Sequence, residues 1–292
     1  MFFEDAEKAS RLLDIALTYR NRHEESPVPL CGVPYHAAGP YIGKLLEAGY
    51  KVAVCEQVED PKTAKGVVQR AVVRVISPGT MTDGEGLDAR DNSFLAAVSK
   101  GERDYGLAVT DVTTGEFRFT SCADQAALID ELGRIRPREI VVAEGQGPLS
   151  DELRREFPKV HLTLVPAHFF GSSATERLTS LRLWSGERDE EWEHGVRAAA
   201  AIIGVLEENL PEVRGLLRDL QPYSSSQYLM LDETTRRNLE LLHDLQGDAK
   251  GSLLGVLDFT LTPMGARRLR QWLLYPLLDE RAIRERQDGV EE

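Results

Sequence analysis

Residues 94–165 carry the pattern that most restricts the fold. Three short runs rich in β-branched and aromatic residues, at 94–98, 106–112 and 116–120, are separated by a Lys100-Gly101 turn and a Thr113-Thr114-Gly115 turn. Such spacing predicts an antiparallel meander. The period then changes. Residues 124–135 set Ala127, Leu128 and Leu132 on one helical face, 139–143 form a short apolar run of strand length, and a helix near 149–157 and a strand at 160–165 continue the alternation. A meander followed by α, β, α, β requires a sheet covered by helices, which confines this stretch to an α/β layer fold. The element order is that of ribonuclease H-like topology, a fold-level analogy that leaves the chemistry open.

On the amino-terminal side the pattern is that of a smaller mixed α/β unit. Residues 1–16 place Phe2, Ala6, Ala9, Leu13 and Ala16 on one face of an amphipathic helix, with Glu4 and Asp5 near its positive end and no capping residue ahead of it. Residues 18–29 are polar and contain Arg20, Arg22, His23, Pro27 and Pro29, an exposed loop by composition. Gly32 and Pro34 punctuate the chain before 36–48, where Ile42, Leu45, Leu46 and Ala48 fall at helical spacing and Gly49 offers a left-handed stop. Two strands are predicted at 52–58 and 68–76, joined through Asp60-Pro61, Lys62, Lys65 and Gly66. In the second, Ala71, Val73 and Val75 are expected to face the core while Arg70, Val72 and Arg74 face outward. Residues 83–92 are rich in Gly and acid and read as a linker.

Beyond Ser172 strands are not expected. Residues 192–210 place Val196, Ala199, Ala200, Ile203, Val205 and Leu206 on a broad helical stripe. Asp232 caps a run carrying Leu239, Leu241 and Leu242; Thr262-Pro263 starts a helix that Pro276 stops; and 282–292 is a charged helical pattern. The fold class is therefore multi-domain α/β: a small mixed α/β domain over 1–88, a ribonuclease H-like α/β domain over 89–225, and the start of an all-α domain over 226–292.

Charge and cysteine usage narrow the function. The net charge of −13 argues against a general nucleic-acid binder, yet residues 20–80 carry 8 basic against 6 acidic side chains, a local positive excess in an acidic chain. The three cysteines, Cys31, Cys55 and Cys122, are odd in number and far apart, which excludes a disulfide framework or CxxC metal site and predicts reduced thiols. Apolar runs fall short of the roughly 20 residues that cross a bilayer, so a cytoplasmic location is expected.

Longer motifs then carry a family resemblance. Phe2-Phe3-Glu4-Asp5-Ala6, GVPYHA from Gly32, CEQ from Cys55, Asp60-Pro61, VVRVISPGT from Val72, LDETTRRNLEL from Leu231 and TLTPMGARRLRQWL from Thr260 resemble the MutS family of bacterial DNA mismatch repair proteins. The resemblance implies a mismatch-binding domain, a connector domain and the opening helices of a core and lever domain. It implies mismatched double-stranded DNA and a MutL-like protein as partners, dimerisation of the longer protein, and ATP and Mg²⁺ as cofactors of a nucleotide-binding domain that in the family lies beyond the position of Glu292. In that family a Phe-x-Glu motif stands just ahead of the position matching Met1, its ring wedged beside the mismatched base. This chain is accordingly expected to hold the mismatch-binding domain without its wedge and to be non-catalytic. Arg20, Arg22 and Arg74 are candidates for phosphate contacts, and Leu30, Gly32, Pro34, Tyr35 and His36 for approach to the duplex backbone and minor groove. For His36, a role as a cap at the start of the helix or as a core imidazole competes.

Two catalytic readings compete. Gly39-Pro40-Tyr41-Ile42-Gly43-Lys44 lacks the spacing and the Ser or Thr of a phosphate-binding loop, and its apolar residues assign it to a helix. A metal-dependent nuclease of ribonuclease H type requires converging carboxylates, for which Asp104, Asp111, Glu116 and Asp130 are the candidates, with surface charge as their expected role. A third reading is a module that binds only protein.

Overall fold

The computed structural model describes residues 1–21, 26–59, 68–81, 88–185, 192–210 and 215–291. Arg22, the Asp60–Gly66 connection and Gly84 to Gly86 of the expected linker lie outside the described residues. The chain opens with helix α1 (Phe3–Leu13), whose core face is Ala6, Ala9 and Leu13. Phe2, at its N-cap, makes no side-chain capping bond, and Asp14 ends the helix in the left-handed region, so Phe2 and Ala16 stay off the buried face. Strands β1 (Thr18–Arg20) and β2 (Val28–Leu30) pair antiparallel, replacing the expected loop. A single 3₁₀ turn, Tyr35–Ala37, leads into α2 (Ala38–Glu47), and Gly49 at φ 82° terminates it as expected.

Strands β3 (Val52–Gln57) and β4 (Arg70–Ile76) form an antiparallel ribbon. Here the expected facing fails. The register runs Val52↔Ile76 and Val54↔Arg74 but Cys55↔Val72, so Val73 is an extra, bulged residue. Val52, Val54 and Ile76 pack on Leu46 and Ile42 of α2, which puts Arg74, half-buried, on the core side of the ribbon. Alternation read along β4 alone cannot register the bulge.

The connector is built as the meander pattern predicts. Strands β5 (Phe94–Lys100), β6 (Tyr105–Asp111) and β7 (Glu116–Cys122) are antiparallel neighbours; α3 (Gln125–Ile135), β8 (Glu139–Ala143), α4 (Gly147–Glu156) and β9 (His161–Val165) follow, with β8 and β9 parallel to β5. Asp124 caps α3 by accepting from the Ala127 amide at 2.8 Å. One face of the sheet packs Ala96, Val98, Leu107, Val109, Ile140 and Val142 under α3 and α4. The opposite face is covered by α5 (Ser172–Ser180) and α6 (Glu193–Asn209), where Phe119 meets Trp184 and Trp192 edge-on at 5.2 and 5.5 Å. Helix α6 is thus the second layer of the connector. Every residue from Ala198 to Leu206 is buried, because helices and sheet enclose it on all sides. The expectation that strands end at Ser172 is also corrected: β10 (Gln221–Pro222) adds to the edge of the sheet, parallel to β7. Two residues are too short a run to show a period.

Helices α7 (Glu233–Asn238), α8 (Leu253–Leu257), α9 (Pro263–Leu274) and α10 (Glu280–Glu291) follow. Asp232, Ser252 and Thr262 each accept a backbone N–H at the start of α7, α8 and α9. α7 stops at Asn238, so Leu239 is exposed while Leu241 and Leu242 enter a small core with Leu254, Leu274 and Tyr275. Arg236 is buried against α3 and bonds Glu233, whereas Arg237 and Asn238 are exposed. Cys31 and Cys122 are buried, Cys55 is exposed, and all three are free thiols; burial pushes the Cys122 thiol up to about 12, which leaves it protonated and unreactive.

His161 on β9 and His243 beside the α7–α8 turn are both held below the ordinary imidazole value of 6.5, chiefly by burial. Glu139 raises His161 and Lys51 lowers it; for His243, Arg136 and Arg270 add to the lowering. A lowered folded pKa means that the unfolded chain binds more protons at acid pH. Stability is therefore expected to fall as pH drops below 6.5 and to level off below the folded pKa values. Urea unfolding midpoints measured from pH 5 to 8 check this, and a His161→Gln, His243→Gln variant should flatten that segment.

Candidate nucleic-acid interface

The candidate residues gather at the outer end of the amino-terminal unit. The backbone of Met1 and Cys31 pairs in both directions, Met1 donating to the Cys31 carbonyl at 2.9 Å and Cys31 donating to Met1 at 3.2 Å, and Phe2 bridges to Leu30. Thr18 pairs with Leu30 from the other side, its Oγ1 donating to the Leu30 carbonyl at 3.1 Å. Leu30 is thus fixed between two backbone segments, and the loop that leaves it projects outward. Gly32, Pro34, Tyr35 and His36 are all exposed, Tyr35 at 85%. His36 lies in the 3₁₀ turn with its side chain in solvent, and no side-chain bond caps α2, so neither the core nor the capping role describes it. Phe2 and Phe3 add exposed rings beside this loop, at 51% and 63%.

The cations lie apart from that loop. Arg20 is exposed opposite Val28, two residues and about 7 Å further down the hairpin than the Thr18–Leu30 pair. Arg74 sits half-buried on the β3–β4 ribbon and has its own partner within the fold. The structure brings Leu30, Gly32, Pro34, Tyr35 and His36 together on one stretch of chain at the end of the hairpin, and places Arg74 on the β3–β4 ribbon.

Sequence reasoning missed the joint that seats this unit on the connector. Glu139, the first residue of β8, is fully buried. Its Oε2 accepts from the Gly79 amide at 3.0 Å and from the Ser77 hydroxyl; its Oε1 accepts from Thr163 at 2.5 Å and lies 3.7 Å from Lys51 Nζ. Ser77 and Thr80 close the turn through a 2.9 Å bond from the Ser77 amide to Thr80 Oγ1. Gly79 passes so near β8 that a Cβ there would stand 2.9 Å from the Glu139 Cβ, so the turn requires glycine. An acid heading an otherwise apolar strand was the available signal, since such a group is buried only when paired.

A second buried carboxylate binds the connector to the last helices. Glu131 on α3 accepts from Tyr223 and Tyr275 hydroxyls, each at 2.9 Å, and lies 3.2 Å from Arg134. Arg118 stacks over the rings of Tyr223 and Tyr275 at 4.7 and 5.2 Å.

The nuclease candidates do not converge. Asp111 is fully buried, contrary to the surface role expected of it; its carboxylate accepts from Asn92 at 2.8 Å, the Ser93 amide at 3.3 Å, and the Thr113 amide and hydroxyl at 2.9 and 2.6 Å. Those bonds tie the β6–β7 turn to the start of β5. Glu116 pairs with Arg118 at 3.0 Å and Asp104 faces His194 at 3.8 Å. Among the described residues no three His, Cys, Asp or Glu side chains are placed to hold a metal ion.

Three family models match in sequence order: MutS domain I at residues 1–85, MutS domain II at 93–218 and MutS domain III at 234–292. The chain belongs to the MutS family. It is 44% identical to the DNA mismatch repair protein MutS of Syntrophobacter fumaroxidans over 301 aligned residues, 42% identical to that of Desulfosudis oleivorans, and 39% identical to that of Staphylococcus carnosus. These alignments cover 99–100% of this chain and 32–34% of each relative, so it spans about a third of their length. By the matched ranges, Glu139 joins MutS domain II to the end of domain I, and Glu131 joins domain II to Tyr275 of domain III. Among the described residues no helix is long and apolar enough to cross a membrane.

Proposed function

We propose that this chain is the DNA-recognition portion of a mismatch repair protein, non-catalytic in itself and cytoplasmic. Residues 1–88 form the mismatch-binding domain, 89–225 the connector and 226–292 the beginning of the core and lever domain. The observation that carries the DNA reading is the exposed Gly32 to His36 loop, projecting from a hairpin whose backbone is fixed on both sides. Exposed rings and small residues on a rigid base suit the minor groove, while Arg20, Arg22 and Arg74 supply phosphate contacts that position without reading sequence. The connector carries changes of state between DNA and the ATP- and Mg²⁺-dependent module of the longer, dimeric protein and offers the surface for a MutL-like partner. The engagement of all of Asp111's acceptor capacity in turn bonds disfavours a nuclease.

Fluorescence anisotropy against a duplex with one G·T mismatch and against its matched control tests this reading. The expected result is salt-sensitive binding to both duplexes, the part of the affinity that phosphate contacts supply, and the difference between the two duplexes measures how far residues 1–88 discriminate a mismatch by themselves. Arg20→Ala, Arg22→Ala and Arg74→Ala are each expected to flatten the dependence of log affinity on log salt by about one unit. Binding of the MutL-like partner with no DNA affinity would instead favour the module that binds only protein.

A further inference from the structure

Between the connector sheet and α9 lies a cleft of about 650 Å³. Eight of its lining residues are arginines against three acids, in a chain of net charge −13. Glu131 and Glu233 stand behind Arg134 and Arg136, and even with both counted the arginines exceed the carboxylates by three. The excess has a location. Arg118, Arg136 and Arg270 each hold an acid, at 3.0, 3.1 and 2.7 Å. Arg138, Arg218 and Arg267 make no ion pair among the described residues, and Arg268 bonds only the neutral Gln271, at 3.0 Å.

Two of these guanidiniums have donors with nowhere to go. Arg134 is only 1% exposed, and its Nε finds no hydrogen-bond partner among the described residues; the buried Nε of Arg267, on the opposite wall, likewise finds none. A buried donor without an acceptor costs free energy, and like charges gathered in a half-enclosed space repel, so such a site is completed by an anion. The floor is apolar and aromatic, with Phe94, Leu274 and Tyr275.

Size and chemistry choose the class of anion. A cavity of this volume falls in the small-molecule range and is a cleft, not a track for a duplex or a folded partner. Planar guanidiniums arriving from three separate chain segments match the several oxygens of linked phosphates, which a single carboxylate does not offer. We propose that this cleft binds a small polyphosphate anion, held between the connector and α9. The inference is independent of the DNA-binding loop, which shares no residue with the cleft. An occupant would tie Arg138 and Arg218 to Arg267 and stiffen the contact between the two parts of the chain.

Isothermal titration calorimetry of the 292-residue chain with inorganic triphosphate tests the proposal, with adenosine triphosphate as a second arm that separates phosphate recognition from stacking of a base on the aromatic floor. Binding of both is expected. Arg138→Gln and Arg267→Gln are each expected to weaken it about tenfold, the factor for losing a charge-assisted hydrogen bond. Arg267→Lys keeps the charge without the fork and should give an intermediate value. Arg281→Gln, on the exposed face of α10, should leave binding unchanged. Circular dichroism of each variant establishes that it is folded. No binding at millimolar triphosphate, or binding that the two cleft variants leave intact while Arg20→Ala removes it, would overturn the proposal.

Discussion

Glu139→Ala is expected to destabilise the chain by about 3–5 kcal/mol, the range for removing one partner of a buried charged network. The loss has two parts. The Ser77 and Thr163 hydroxyls and the Gly79 amide keep their burial and lose their acceptor, and Lys51 loses its counter-charge. Because Glu139 is also the first residue of β8, both the connector sheet and its joint with the amino-terminal unit are affected. Urea unfolding followed by tryptophan emission reports chiefly the connector, against whose core Trp184 and Trp192 pack, with Trp272 on α9 as the third emitter. Hydrogen exchange at the Gly79 amide reports the joint and should speed up by about two orders of magnitude, the factor for roughly 3 kcal/mol. Glu139→Gln keeps one acceptor oxygen and should recover part of the loss. An alanine variant within 1 kcal/mol of the parent would show that water replaces the carboxylate without cost and that the joint is held by other contacts.

Gly106→Ala is expected to cost about 3 kcal/mol or more, beyond the usual range for overpacking. A Cβ at Gly106 would stand 1.9 Å from the carbonyl carbon of His194 and 2.2 Å from the amide nitrogen of Gly195. Both are backbone atoms of α6, so no side chain can rotate away. Gly195 is constrained from the same crossing, its own missing Cβ falling 2.5 Å from the Phe119 ring. The start of α6 therefore meets β6 backbone to backbone, and a single methyl group must lift the helix off the sheet. Trp192, stacked edge-on against Phe119, should shift its emission to the red as it does. Gly147→Ala, at the first position of α4 with nothing within 4 Å of the added atom, is the control and should be neutral or slightly stabilising. Equal midpoints for the two variants would mean that the crossing of α6 yields without cost.

Elements long enough to show a period were legible from residue order. The meander, α3, α4, α6 and α9 formed where the apolar spacing put them, with Asp232 and Thr262 at the expected helix starts and Gly49 as the left-handed stop. Gly32 and Pro34 marked the loop ahead of α2 through turn chemistry, whereas the 3₁₀ turn at Tyr35–Ala37 and the exposure of His36 did not show in the chain. Periodicity and capping are local properties, set by bonds between residues three or four apart, and a single chain displays them.

What only the tertiary structure decided is which polar groups are buried and which distant backbones touch. Asp111, Glu131, Arg134 and Glu139 look like surface charges in the chain, and each is buried because partners arrive from elsewhere: Asn92 for Asp111, Tyr275 for both Glu131 and Arg134, and Gly79 for Glu139. The bulge at Val73 changes the face of β4 through the register of its partner strand, and β10 exists only because β7 offers it an open edge. The arginines of the cleft are separated by up to 152 residues, from Arg118 to Arg270. The sequence determined the elements through short-range hydrogen bonding and apolar spacing; packing alone determined the burial of charge, since the desolvation of a charged group depends on everything that surrounds it in space.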